Sequence, residues 1–492
     1  INTLPQKRKD TVIVKTYVPG GKFAIIDEKG NDVDYTIIKS RDLTDYVLSQ
    51  TIMLDPSRKF YVPDQVLEVT MAIKANDVPA LGYVQYSIDT QKDSHKETAD
   101  KKVLENKYYT IEVEENGSLT IVDKANNVTY KNQGILVENG DDGDSFNYSP
   151  PRKDMEVFSN ESKCTVKISG SDIYNQAEIH FDMVVPADLD ERAEGKVSVT
   201  MLVDMTVALR KDSKVIDFNV KVDNKGLSHR LCVLFDSQIV SAFNYADQQF
   251  GLIKRPNYYE KEMKLYMESM NNKTEKKAGI QELANWANDQ STWQEPPISI
   301  EPTQSYVSLT DGKTGIAVIP QGVREYEVLD DSKIRLTLFR TYGFMGKENL
   351  IYRPGRASGE RIIETPAAQL LKEMEFNFGF TSYAGDINDS DIDTLAKQYN
   401  TNLEVYTYAE FLNGRLIFSQ REIEGQNAKI HSLFETEGNL VVSAVKKAEE
   451  DDGYIIRLYN GKDHKDLDDK IKFNFDIKEA YYTNLKDRRD QG

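Results

Sequence analysis

Val215-Ile216-Asp217-Phe218-Asn219-Val220-Lys221-Val222 alternates apolar and polar residues along its length. Side chains two apart share one face of a strand, so this stretch buries Ile216, Phe218, Val220 and Val222 and turns Asp217, Asn219 and Lys221 outward. The same period recurs just upstream, in Val197-Ser198-Val199-Thr200-Met201 and Val203-Asp204-Met205-Thr206-Val207. Turn signals punctuate such runs: Pro19-Gly20-Gly21, Glu28-Lys29-Gly30-Asn31, Glu115-Asn116-Gly117 and Thr310-Asp311-Gly312. The 27 Tyr and 19 Phe suit pleated surfaces. Regularly spaced short strands of this kind predict an all-β protein built from sandwiches.

A chain of 492 residues is too long for one ordinary core. Strands at Thr11–Val18, Lys22–Asp27 and Val66–Ala75 predict a small sandwich of about eight strands, over residues 1–97. Thr90-Gln91-Lys92-Asp93-Ser94-His95-Lys96-Glu97-Thr98 carries no apolar residue and reads as a linker or long loop. Residues 98–386 form a second, oversized unit with two large facing sheets and a helix over Glu275–Asp289, where Ile280, Leu283, Ala284 and Ala287 recur at helical spacing. Asn388–Tyr399 reads as a short helix led by acidic and hydroxyl residues. It opens a third unit, 387–492, with strands at Asn439–Val445 and Tyr454–Tyr459 around an acidic turn, and a charged tail after Asn484.

The net charge of −18 argues against nucleic acid and anionic membrane surfaces as partners, and no run reaches the length of a membrane span. The two cysteines, Cys164 and Cys232, sit in strand-like runs and read as free thiols, which together with the absence of an apolar leader predicts a cytoplasmic protein. The chain opens on Ile1 without a methionine and reads as part of a longer one.

No Gly-x-Gly-x-x-Gly, P-loop, Cys-x-x-Cys or His-Glu-x-x-His occurs. His180-Phe181-Asp182, with Glu178, places three potential ligands on one strand face, but reads first as the solvent face of a strand that buries Ile179, Phe181 and Met183. His464-Lys465-Asp466 reads as a charged turn, so no metal site is assigned in this chain. Two loop segments have the composition of a binding surface. Glu138–Pro151 combines carboxylates and amides with Phe146 and Tyr148, and lacks the Asp-x-Asp-x-Asp spacing of a calcium loop. Leu338-Phe339-Arg340-Thr341-Tyr342-Gly343, followed by Tyr352-Arg353-Pro354-Gly355-Arg356 and Thr365-Pro366-Ala367-Ala368-Gln369, delivers Arg and Tyr donors into a Gly-rich loop. Those donors can hold sugar hydroxyls, hold a carboxylate, or staple neighbouring domains together.

In shared order, these segments resemble the C-terminal half of glycoside hydrolase family 38, the α-mannosidases, and its bacterial members in particular. Asp77–Tyr83, Leu104–Tyr109, Gly143–Pro150, Leu338–Gly343 with Arg353-Pro354-Gly355, Thr365–Gln369 and Gly453–Asn460 carry the resemblance. It implies a small sandwich, a galactose-mutarotase-like supersandwich and a second small C-terminal sandwich. It also implies that the catalytic carboxylates and a zinc ion belong to an N-terminal catalytic domain outside this chain. On this reading no catalytic residue lies in the chain, which alone is inactive. It is the scaffold and pocket wall of a retaining enzyme cleaving terminal α-mannosides, with its own catalytic domain, a mannose-containing oligosaccharide and a second copy of itself as partners. The wall residues implied are Phe146, Tyr148, Arg340, Tyr342, Arg353 and Arg356. Relatives often carry Tyr where Phe146 stands, and a phenyl ring cannot donate a hydrogen bond. Two other readings remain: a non-catalytic glycan-binding sandwich, and a self-sufficient epimerase or lyase of the large-sandwich type.

Overall fold

A computed structural model describes residues 1–49, 64–272, 295–353, 362–409, 412, 430–438, 440–449, 452–462 and 466–486. The fold is all-β, and two large antiparallel sheets dominate it. The larger has ten strands in the order Gly251–Pro256, Phe243–Gln248, Val307–Thr310, Thr314–Gln321, Glu373–Ala384, Ile216–Asp223, Val199–Arg210, Tyr174–Val185, Lys163–Gly170 and Ala99–Asp100. The second has six: Val157–Phe158, Ile135–Gly140, His229–Asp236, Lys333–Arg340, Glu325–Leu329 and Glu301–Pro302.

The alternation seen in the sequence is the reason these sheets stack. Ile216, Phe218, Val220 and Val222 meet Met201, Val203, Met205 and Val207 from the next strand in one core. Leu231, Val233, Phe235, Ile334, Leu336 and Leu338 close that core from the second sheet. Phe218 stacks on Phe378 at 5.1 Å, and Phe235 meets both Phe218 and Phe380 edge or face on. A four-stranded sheet, Leu104–Glu105 to Val128–Gln133, adds Tyr109, Ile111, Leu119 and Ile121 to the same core.

Residues 1–97 contribute seven strands among the described residues. Arg8–Val18, Leu67–Val78 and Tyr35–Asp42 form one sheet, and Asp32–Val33, Ala24–Ile26 and Ser87–Asp89 another, around Phe23, Tyr35, Val69 and Met71. Gly82–Val84 pairs instead with Ile430–Ser432, more than three hundred residues downstream. The polar stretch 90–98 packs rather than trails: Ser94 N donates to Phe23 O and Lys96 N to Tyr35 O. Backbone pairing, invisible in composition, ties it down.

The helix expected at 388–399 spans Ile392–Asn400. Its Ile392 and Ala396 pack on Ala317, Ile319 and Tyr383, covering part of the outer face of the ten-stranded sheet. Val441–Lys447 and Tyr454–Tyr459 pair as a hairpin around the acidic turn. The helix expected over 275–289 and the tail beyond residue 486 lie outside the described residues, whereas the helix at Glu260–Asn272 was not expected from the sequence. Cys164 and Cys232 are both free thiols.

Candidate functional site

The outer face of the six-stranded sheet is polar, yet it is buried. Asn139, Arg230, Glu327 and Arg335 all sit below a tenth of full exposure, because the loops after Gly140 and Arg340 fold back over them. Arg230 gives Nε to Asn139 and Nη2 to Glu327, while Arg335 gives Nη2 to Asn139. The Arg230 guanidinium also lies 3.9 Å over the Tyr148 ring. Tyr148 accepts from Asn139 Nδ2 at 3.1 Å, and burial pushes its phenol well above the usual range.

A bulge aims the key arginine. Leu231 pairs with Phe339 but Cys232 pairs with Thr337, so Leu338 is the extra residue. Leu338 and Phe339 therefore both enter the core, and Arg340 turns out to the loop side. There Arg340 grips Asp141 with Nε at 2.6 Å and Nη2 at 3.1 Å, and Nη2 also reaches the carbonyls of Asp144 and Asn147 at 2.9 Å each. Burial pushes the Asp141 carboxyl up, and the Arg340 pair pulls against it.

Asp144 is the second clasp. Its side chain is fully buried and pairs with Arg353. It also accepts from the backbone N–H groups of Phe146 at 2.9 Å, Asn147 at 3.0 Å and Lys347 at 2.8 Å. Burial alone would raise this carboxyl, but the Arg353 pair and the three N–H donors hold it below the usual range. A third pair, Asp142 with Lys347, lies at the rim with each side chain 30% exposed. Gly143 permits the tight path, since a Cβ there would lie 2.0 Å from Asn147 O. This scaffolding leaves Phe146 at the tip, 58% exposed.

Five of the six expected wall residues thus come together: Phe146, Tyr148, Arg340, Tyr342 (under the Arg340 guanidinium at 5.3 Å) and Arg353. Arg356 lies outside the described residues. Within the cluster, Tyr148 and Arg353 are buried and engaged with the protein, so the surface they help shape is offered by Phe146, Tyr342 and the outer edge of Arg340.

Sequence reasoning missed a further buried group beneath the loop. Glu138 pairs with Arg192, and its Oε1 lies 3.0 Å from His229 Nδ1, whose Nε2 meets Asn224 Oδ1 at 2.9 Å. Two signals point to it: Glu138 ends the apolar run Ile135-Leu136-Val137, and His229-Arg230 precede Leu231-Cys232-Val233. A charge attached to a core strand predicts a partner. Gln369, to which the sequence assigns no role, has one here. It accepts from Ser228 N at 2.8 Å and gives Nε2 to Ser228 Oγ, locking the start of the His229 strand.

His180 lies on the outer face of the ten-stranded sheet. Its Nδ1 meets Asp204 at 2.7 Å and its Nε2 meets Asp182 at 3.2 Å, while Asp182 also pairs with Lys163. Hydrogen bonding to Asp204 raises the imidazole above its usual value. These contacts engage both imidazole nitrogens, and among the described residues no group of three His, Cys, Asp or Glu side chains has the arrangement of a metal site. His464 lies outside the described residues.

Residues 104–344 match the glycosyl hydrolases family 38 C-terminal domain, and residues 439–491 match the family's C-terminal beta sandwich domain. A curated relative from Halalkalibacterium halodurans, named provisionally as a mannosylglycerate hydrolase, is 24% identical over 379 residues, covering 73% of this chain and 36% of its own length. A family 38 protein from Enterococcus faecalis superposes with a TM-score of 0.73 at 18% identity, over 99% of this chain and 55% of its own. An α-mannosidase from the same species gives 0.70 at 20% identity, over 94% and 50%. At those identities the two structures attest the fold. The chain spans about a third of the curated relative and about half of each solved structure. By matched residues, their order and the sandwich architecture, the chain belongs to glycoside hydrolase family 38, as its C-terminal region.

Proposed function

We propose that this chain is the β-domain portion of an enzyme that hydrolyses terminal α-mannosides, and that its loop 141–149 forms one wall of the sugar pocket. The observation that carries the reading is the exposed Phe146 ring at the tip of a loop that two carboxylate–arginine clasps hold, with Arg340 bonded to the carbonyls of Asp144 and Asn147 on either side of it. A protein that merely needs a turn does not need two buried ion pairs to hold it, since each such pair costs desolvation. Apolar ring faces pack on sugar C–H groups, and a guanidinium edge donates to hydroxyls. The Arg340 Nη1 makes no hydrogen bond among the described residues and is available for that role.

On this proposal the reacting carboxylates, and the zinc that the family resemblance implies, belong to the remainder of a longer protein. The chemistry there is a displacement with retention through a glycosyl-enzyme intermediate. The residues of this chain position the sugar and exclude water from one side. The test is hydrolysis of an aryl α-mannoside by this chain and by the full-length protein, in parallel and with zinc present. Turnover by the full-length protein alone supports the reading. Turnover by the isolated chain would overturn it and redirect attention to acids within the sandwich. In the full-length protein, Phe146→Ala is expected to lower kcat/KM about tenfold or more, and an unchanged value would remove the loop from the pocket.

A further inference from the structure

We propose that the loop acts as a charge filter, in which the Asp142–Lys347 pair makes the pocket rim favour uncharged mannosides over those whose aglycone bears a carboxylate. This rests on the reading that loop 141–149 faces the bound sugar.

The physical basis is matched charge. Arg340, Lys347 and Arg353 each pair one to one with an aspartate of the loop, Asp141, Asp142 and Asp144 respectively, while Arg230, over the Tyr148 ring, is matched by Glu327. Two of the pairs are inside, with the Asp141 and Asp144 side chains fully buried. Only Asp142–Lys347 stands at the rim, where both side chains keep 30% exposure. Glu295 adds a carboxylate near the tip, 3.5 Å from Asn147 Nδ2, with no cation partner among the described residues. Among the described residues, these pairs therefore leave the rim with donors and no net positive charge. A hydroxyl gains a full hydrogen bond from the Arg340 edge, because that bond needs a donor and not a net charge. A carboxylate accepts from the same edge, but it loses more hydration than a hydroxyl, finds the Arg340 and Lys347 charges already matched by Asp141 and Asp142, and meets the like charge of Glu295. The chain's net charge of −18 adds a long-range bias in the same direction.

The rim pair is the adjustable part. Asp142→Asn keeps the shape and releases the Lys347 ammonium, which converts a neutral rim into a cationic one. Lys347→Gln does the opposite and leaves Asp142 unmatched.

The experiment uses the full-length protein and two substrates of one shape, an α-mannosylglycerate and its methyl ester. Expected is a higher kcat/KM for the ester. Asp142→Asn should narrow the ester-to-acid ratio by roughly 5- to 30-fold, as one freed charge near a partly exposed site allows. Lys347→Gln should widen it. Hydrogen exchange across 141–149 checks that the loop stays closed in each variant. Preference for the free acid, or a ratio that neither variant moves while the loop stays closed, would overturn the filter. Hydrolysis of neither substrate, nor of any aryl α-mannoside, would overturn the mannosidase reading beneath it.

Discussion

Asp144 and Arg353 offer the sharpest test of how the loop is held. Their side chains are 0% and 5% exposed. In Asp144→Asn the guanidinium keeps Asn147 Oδ1 and the Lys347 carbonyl as acceptors but loses its counter-charge. Removing one partner of a buried pair costs about 3–5 kcal/mol, because the other charge stays buried without compensation. Arg353→Met is expected at the lower end of that range, since three backbone N–H donors still serve the Asp144 carboxylate. The double variant removes both charges together and should cost about as much as one single change. The coupling is then about 3 kcal/mol, against an additivity error of about 0.5 kcal/mol for independent sites. The loop can open without unfolding the sandwich, so the first readout is amide hydrogen exchange at 141–149, with the urea midpoint as the second. A loss of about 3 kcal/mol corresponds to roughly a hundredfold drop in protection, at about 1.4 kcal/mol per decade. Strict additivity of the two single variants, or full protection in Asp144→Asn, would refute the clasp.

Acid provides an independent probe of the same carboxylate. Because the folded Asp144 carboxyl lies below its ordinary value, its contribution is present above the unfolded pKa and is lost as pH falls through the folded one. Loop protection should therefore survive to below about pH 4 and then fail, and earlier failure would count against the pairing. His180 runs the other way: its folded value is raised, so its contribution is complete below about pH 6.5 and fades as pH climbs through the folded value. The side chain is 40% exposed and screened, so His180→Gln should flatten stability above neutrality by only a few tenths of a kcal/mol, followed by urea midpoints from about pH 6 to 9. Glu138→Gln strips the Arg192 guanidinium of its buried partner and is expected to cost about 3–5 kcal/mol by urea denaturation; a loss under about 1 kcal/mol would mean the site rehydrates. Gly143→Ala should open the loop, seen as lost exchange protection at Phe146 and Asn147, because the new methyl group would press on Asn147 O.

The sandwich was legible from alternation alone. Residues such as Phe218, Val220, Met205 and Val207 fall on one face because period two admits no other burial, and they lie together in the main core. The hairpin of Val441–Lys447 with Tyr454–Tyr459 was legible from its turn residues, and the helix at 392–400 from the acidic and hydroxyl residues that lead it, although Asp391 makes no side-chain cap bond. Phe146 and Arg340 stood out by composition and family order, without any indication of whether the arginine faces solvent or serves the loop. That depended on the bulge at Leu338, a one-residue register shift that inverts which face Arg340 occupies.

What the sequence by itself determined, then, is a strand-rich chain, its apolar faces and the segments rich in donors, since each follows from local spacing. Only the tertiary structure decided the pairings: Asp141 with Arg340 and Asp144 with Arg353 about two hundred residues apart, Glu138 with Arg192 and His229, and Gly82–Val84 with Ile430–Ser432. An ion pair is a statement about two positions in space. In a chain with 62 basic and 80 acidic residues, no local rule selects one partner from so many. The folding of the two sheets makes that choice, by burying particular charges where a partner is the only substitute for water.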